Sequence, residues 1–397
     1  MKMKTSRAGT FVPQPGGYTA FVPDPLPPDP PIQLNDFELL ELLSRADRAL
    51  GRLDGATEIL PNPDLFVDMY VRQEAILSSQ IEGTQASLID VLEYELEGDS
   101  KRFPGDTQEV ANYVRAMNYG LARLEDIPLC LRLIREIHHL LLDGTRGCER
   151  DPGQFRKTQN WIGPPGVGIR DAIFVPPPVP EMLKALDDLE RFVNSDDHMP
   201  ILVKCALAHA QFETIHPFLD GNGRLGRLLI TFMLCERQVL RRPLLYLSLF
   251  LKRNRSEYYD KLNAVRTHGD FEGWIKFFLR GVAEISLEAT ETARAILELR
   301  EEHRTLLTAN GFATANHMNL LEHLYEYPII SVKKAVDLLD VAFATANDTI
   351  ARFVKLGLLQ EITGKQRGRL FAYVPYLQIF TEAGVRLDRA DSALASD

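Results

Sequence analysis

One short turn between two strongly apolar stretches concentrates the reactive groups of this chain: His216-Pro217-Phe218-Leu219-Asp220-Gly221-Asn222-Gly223-Arg224-Leu225-Gly226-Arg227. A titratable ring, a carboxylate, two glycines around an amide and two guanidinium groups, in that order, suit phosphate handling and few other tasks. Glycine at 221 and 223 lets successive N–H groups converge as an anion nest, and a helix starting there turns its positive end towards the same ligand. Arg224 and Arg227 are three apart on that helix, so they share a face and can grip different phosphate groups. Asp220 offers the hard oxygen that holds a Mg²⁺ retaining most of its waters. His216 titrates near neutral pH and is the candidate general base. The turn therefore reads as a nucleotide site; an ordinary interhelical loop has no reason to combine these groups.

The same residues resemble the signature of the Fic family, His-Pro-Phe-x-Asp-Gly-Asn-Gly-Arg-x-x-Arg, with every fixed position filled. The resemblance extends over roughly residues 35–285. It implies a mainly α fold with a small β-hairpin flap, and an enzyme that moves AMP from ATP onto a Tyr, Thr or Ser hydroxyl of a target protein, itself included, with release of pyrophosphate. By the same resemblance His216 is catalytic, Asp220 holds Mg²⁺, and Gly221, Asn222, Gly223, Arg224, Leu225, Gly226 and Arg227 line the nucleotide. Tyr258 and Leu262 would lie against the adenine, although Arg266 stands where relatives have asparagine. Three rivals stay open: a γ-phosphate kinase with the nucleotide reversed, an enzyme that removes AMP from a modified protein, and a nucleotide-sensing winged-helix regulator.

Elements must bring these residues together. Apolar residues recur at helical spacing over 36–53, behind Asn35 as N-cap, and a second helix starts after Pro61-Asn62-Pro63. It carries Ser78-Ser79-Gln80-Ile81-Glu82-Gly83, in which Ser78 and Glu82 share a face and Gly83 suits a left-handed helix stop. In the family such a Ser/Thr-x-x-x-Glu-Gly helix is the inhibitory element, so the resemblance pairs Glu82 with Arg227. A guanidinium held by a carboxylate is unavailable to a γ-phosphate.

Further amphipathic helices are expected over 87–97, 107–124 and 128–143. His138 and His139 fall in the last of these; no partner ligands stand at metal spacing, so surface or packing roles are expected. Glycine and proline then flank short β-prone segments from Asp151 to Pro177, which suggests a hairpin or extended loop. In Fic proteins this place is the flap that docks the target's backbone, at Ile173, Phe174 and Val175 here; a structural lid is the other reading. Residues 200–212 and 228–240 are apolar nearly all round and belong at the centre of a bundle, with His209 as a satisfied core histidine and Gln211 and Glu213 in supporting roles.

The outer regions divide as a proline-rich arm (1–34), an N-terminal helical region with the inhibitory helix (35–105), a catalytic core (106–285), a helical linker (286–316), a winged-helix-like unit (317–380) and a tail (381–397). The arm is too rich in proline for a regular helix or a central strand; its aromatics could pack on the body or on a second subunit of a homodimer, and a disordered tail is the alternative. The winged-helix-like unit is locally basic, which permits contact with a DNA backbone, but its presumptive recognition helix opens with Phe343-Ala344-Thr345-Ala346-Asn347-Asp348. That helix start lacks the Arg and Lys that read guanine edges, so protein docking or dimerisation is expected over sequence-specific DNA binding. With 45 Lys plus Arg against 55 Asp plus Glu in 397 residues, the net charge of -10 does not draw the whole molecule to nucleic acid. The four cysteines show no ligand spacing and read as buried thiols of a reducing compartment. No apolar run is long enough to span a bilayer and none follows the basic N-terminus, so a cytoplasmic protein is expected.

Overall fold

In the computed structural model, which describes residues 3–33, 35–58, 63–97, 105–164 and 166–382, the chain opens with an antiparallel sheet of β1 (Met3–Ser6), β2 (Gly9–Gln14) and β3 (Tyr18–Pro23) in that order. This corrects the irregular arm expected at 1–34. Pro23 ends β3 and the prolines clustered at 25–31 follow the sheet rather than interrupt it. Pro13 does lie on the central strand, but beyond Phe11, the last residue that β1 covers, so its missing N–H costs little of the ladder. The sheet is fastened to the body: Phe21 N–H donates to Val175 O (2.9 Å), and the Gln211 side chain donates to Asp24 O (2.9 Å).

The helical body comprises α1 (Phe37–Glu58), α2 (Pro63–Ile81), α3 (Leu88–Glu97), α4 (Gly105–Arg123), α5 (Leu131–Leu141), α6 (Val179–Asn194), α7 (Ile201–Ile215), α8 (Asn222–Glu236), α9 (Ser248–Arg253), α10 (Arg255–His268) and the 39-residue α11 (Phe271–Ala309). The cap of α1 is Asp36, whose carboxylate accepts the N–H groups of Glu38 and Leu39, one residue beyond the expected Asn35. Nearly every residue of α7 and α8 is buried, as their unbroken apolar pattern requires. Leu207, Phe212, Leu225, Leu228 and Phe232 are fully covered. Each such side chain contributes roughly 1.5–3 kcal/mol, so the turn between these two helices is held at both ends by well-buried core.

Between α5 and α6 the described residues form no regular hairpin. One isolated antiparallel pair, Ile162 with Phe174, closes an extended loop through two N–H···O bonds of 2.8 and 3.1 Å. Pro176, Pro177 and Pro178 lack the donors that would prolong a ladder, which corrects the hairpin flap to a one-pair loop.

After α11 come α12 (Ala315–Glu326), β4 (Ile329–Ser331), α13 (Val332–Leu339), α14 (Phe343–Lys355), β5 (Gln360–Glu361), β6 (Leu370–Ala372) and α15 (Val374–Glu382), with a small antiparallel sheet in the order β4-β6-β5. The stretch expected to be a linker is mostly the second half of α11, where Ala289, Ala293, Ile296 and Leu307 are buried. The C-terminal unit thus shares a spine with the body, and Phe380 meets Tyr70 of α2 edge-on at 5.7 Å. Past Glu382 the expected tail lies outside the described residues. Of the cysteines, Cys205 is buried, Cys130 and Cys235 half-buried and Cys148 exposed, so burial does not hold for all four. No helix among the described residues is long and apolar enough to cross a membrane.

Candidate nucleotide site

His216 ends α7 in the left-handed region (φ 48°, ψ 61°), and its N–H still closes the last turn onto Phe212 O at 2.9 Å. A non-glycine residue held there is uncommon and needs support. Support comes from below: the His216 carbonyl accepts from Arg156 Nε (3.1 Å) and Asn160 Nδ2 (3.2 Å), and Arg156 also donates to Pro177 O at the base of the flap loop. Burial, with the Arg266 and Arg156 guanidiniums nearby, pushes the imidazole down to about 4, so it is neutral at physiological pH. Its Nδ1 has no hydrogen-bond partner among the described residues and lies 3.9 Å from Glu213 Oε2. Glu213 is itself buried, and desolvation raises its carboxyl to about 7.

The rest of the turn is locked from both sides. Phe218 is buried and stacks on His138, with centroids 3.7 Å apart and planes 9° from parallel. Gly153 N–H donates to His138 Nδ1 (2.8 Å), which leaves the proton on Nε2 to donate to Asp220 O (3.0 Å). Burial lowers His138 to about 4 and keeps it in that neutral form. Asn222 takes Phe218 N–H on its Oδ1 and gives its Nδ2 to Phe218 O, both at 2.9 Å. Its side chain therefore staples the turn, which leaves its backbone N–H as the group it could offer to a phosphate. Gly221 adopts φ 75° and caps α8; the first bond onto that helix is Leu225 N–H to Gly221 O (3.0 Å), so the N–H groups of Asn222, Gly223 and Arg224 precede the ladder, the arrangement an anion nest requires.

Asp220 turns Oδ1 to Gly221 N–H (2.6 Å), while a side chain at Gly147 would come within 3.0 Å of its Oδ2. Glycine at 147 leaves room beside that oxygen. Among the described residues there is no cluster of three or more metal-ligating side chains, so a cation here would rest on one carboxylate, phosphate and water, which suits Mg²⁺.

The two arginines are both held by carboxylates. Glu82 Oε1 lies 2.7 Å from Arg227 Nη2, and Ser78 adds its Oγ to Nε (2.7 Å) and its carbonyl to Nη2 (3.0 Å). Ser78 and Glu82 reach Arg227 together because the end of α2 presents one face; Gly83 (φ 100°) then turns the chain away. Burial would raise the Glu82 carboxyl, but the Arg227 guanidinium outweighs it and holds the group below its ordinary value. A methyl at Gly223 would fall 2.2 Å from Glu82 Oε1, so the nest and the clamp are in contact. Arg224 is buried and bonded to Glu109 Oε2 of α4 at 3.2 Å.

Other expected ligand contacts turn out to be core. Leu225 is fully covered, and the Gly226 carbonyl takes Nδ1 of His209 (2.8 Å), whose Nε2 meets Tyr258 Oη (2.9 Å). Tyr258 and Leu262 are buried, so in this conformation neither offers a face to a purine; the next ring, Tyr259, is 44% exposed and feels Glu82 and Arg227 electrostatically. Of the flap residues only Ile173 projects outwards, at 72% exposure. Phe174 is buried under the Arg266 guanidinium, 3.9 Å from its ring centroid, and the Val175 carbonyl is already taken by Phe21. Sequence reasoning gave His138 only a surface or packing role and gave none to Glu109, Arg156 or Asn160.

Residues 40–122 match the family described as Fic/DOC family N-terminal, and residues 128–234 match the Fic/DOC family. A protein adenylyltransferase Fic of Drosophila grimshawi is 30% identical over 200 residues, which is 49% of this chain and 37% of the relative. The match thus spans about a third of that relative's length. Among solved structures, a Fic family protein from Desulfovibrio desulfuricans covers 85% of this chain and 96% of its own with a TM-score of 0.52 at 19% identity. Fic-1 from C. elegans covers 66% of this chain and 74% of its own, with a TM-score of 0.50 at 20% identity. At those identities the likeness is one of fold.

Proposed function

We propose, from the matches of residues 40–122 and 128–234 to the two Fic/DOC family descriptions, that the chain is a nucleotidyltransferase that moves AMP from ATP onto a protein hydroxyl, its own included. The observation that carries this is the neutral imidazole of His216 standing on the same locked turn as the N–H groups that open α8 ahead of its first ladder bond. A base and a phosphate cradle on one rigid turn suit attack at the α-phosphorus. His216 takes the proton of a Tyr, Thr or Ser hydroxyl; the oxygen forms a bond to the α-phosphorus while the bond to the bridging oxygen breaks, and pyrophosphate leaves. The N–H nest orients the phosphates, and Arg227, once released, grips the far end of the triphosphate. Asp220 would hold Mg²⁺, which when bound neutralises charge on the phosphates.

In this reading the Glu82–Arg227 pair keeps the resting enzyme slow, because the guanidinium that should meet the γ-phosphate is occupied. Ile173 would dock the target, and the C-terminal unit, with Phe343 exposed at the start of α14, would serve protein docking rather than DNA reading. The test is the transfer of label from ATP marked on the α- or the γ-phosphate. Label from the α position alone, lost in His216→Ala with the melting temperature retained, supports the proposal. Transfer of the γ label, or full activity in His216→Ala, overturns it.

A further inference from the structure

Glu109 is a buried acid on α4, a helix outside the signature turn, and it aims at the one motif arginine that Glu82 does not hold. Its Oε2 lies 3.2 Å from Arg224 Nη1, and the same guanidinium stands 3.7 Å from Asp220 Oδ1 through Nη2. Arg224 is thus shared between two carboxylates, and the nearer one is Glu109. The loop beside Asp220 is fixed by the same helix: Asn112, one turn on, donates to Asp143 O (2.7 Å) near the loop whose Gly147 faces Asp220 Oδ2, while Arg146 of that loop returns to Glu109 Oε1 at 3.5 Å.

Burying a carboxylate is costly unless it is paired, so the acid at 109 is an arrangement the fold has to stabilise. Without it, the nearest anion left to Arg224 is Asp220. An arginine bound there would neutralise the carboxylate meant for a cation.

We propose that Glu109 is a positioning residue which, by taking the Arg224 guanidinium, leaves Asp220 its charge for a divalent metal. This rests on the reading of Asp220 as the metal-holding group, and the experiment separates the two. In a Glu82→Gly background, ATP affinity is measured with EDTA and again with Mn²⁺, the bound metal being followed by electron paramagnetic resonance. The metal-dependent gain in affinity is the readout. Glu109→Gln is expected to lose about tenfold of that gain, with metal-free ATP binding unchanged, a split that a merely structural defect would not produce. The double variant Glu109→Gln with Arg224→Gln is expected to recover the gain, because the competing cation is gone. A full gain in Glu109→Gln alongside its loss in Asp220→Asn overturns the proposal and leaves the metal reading standing. An equal fall with and without metal in Glu109→Gln also overturns it. A full gain in Asp220→Asn removes the metal reading itself.

Discussion

Replacing Glu82 by glycine is the perturbation whose size the structure allows to be worked out. The carboxylate makes one charge-assisted bond to Arg227, Oε1 to Nη2 at 2.7 Å, and its side chain is 34% exposed. Such bonds contribute roughly 1.5–3 kcal/mol, and partial exposure to solvent brings this one towards about 1.5–2 kcal/mol. If that energy is what ATP must overcome to reach Arg227, its removal raises the initial rate of AMP incorporation about 10- to 30-fold, at about 1.4 kcal/mol for each factor of ten. Arg227 keeps its two bonds to Ser78, so it stays in place to receive a phosphate. A second glycine beside Gly83 also loosens the end of α2, at a cost of about 1 kcal/mol. Glu82→Gln retains the shape and the helix preference, and is expected to give a smaller rise. The assay is incorporation of α-labelled ATP into the protein itself and into lysate proteins, with thermal melts alongside. A folded Glu82→Gly protein whose labelling is unchanged or lower would refute the inhibitory reading.

Other outcomes follow from the same geometry. The acid limb of kcat/KM in the Glu82→Gly form should fall at or below about pH 4, not near 6.5, since His216 is held down by burial and the deleted acid was raising it; a midpoint near 6.5 would contradict the buried neutral base. Glu213 is raised to about 7 in the folded chain, so its contribution to stability is present below the ordinary glutamate range and is lost as pH rises through 7. Glu213→Gln should therefore gain stability relative to the parent by about 2–3 kcal/mol more at pH 8 than at pH 4, read by urea denaturation at each pH. His138→Ala removes a stacked ring and strands both Gly153 N–H and Asp220 O, with an expected loss of about 3–5 kcal/mol and of labelling; a loss under about 1 kcal/mol would mean that the ring does not hold the turn.

What was legible in the sequence was whatever a local pattern encodes. The unbroken apolar character of 200–212 and 228–240 placed two central helices, and the glycines at 221 and 223 marked the turn from which the second starts. Four-residue spacing put Ser78 and Glu82 on one helical face, and both meet Arg227. His216, Asp220 and the nest were readable as types in order along one turn. Pairing across distance was not readable. Glu109 is 115 positions from Arg224, and His138 is 82 from Asp220; nothing in the spacing of either segment announces a partner that far away. Nor does composition say whether a polar side chain faces ligand or backbone: Asn222 spends its amide on Phe218, and Tyr258 spends its hydroxyl on His209. The N-terminal sheet was hidden for a related reason, since prolines forbid a ladder only where a donor is needed, and that depends on how far the neighbouring strand extends. The order of residues thus determined which chemistry the turn could hold, while packing of distant helices decided which of those groups are free to perform it, because burial and hydrogen-bond satisfaction are properties of neighbours in space and not along the chain.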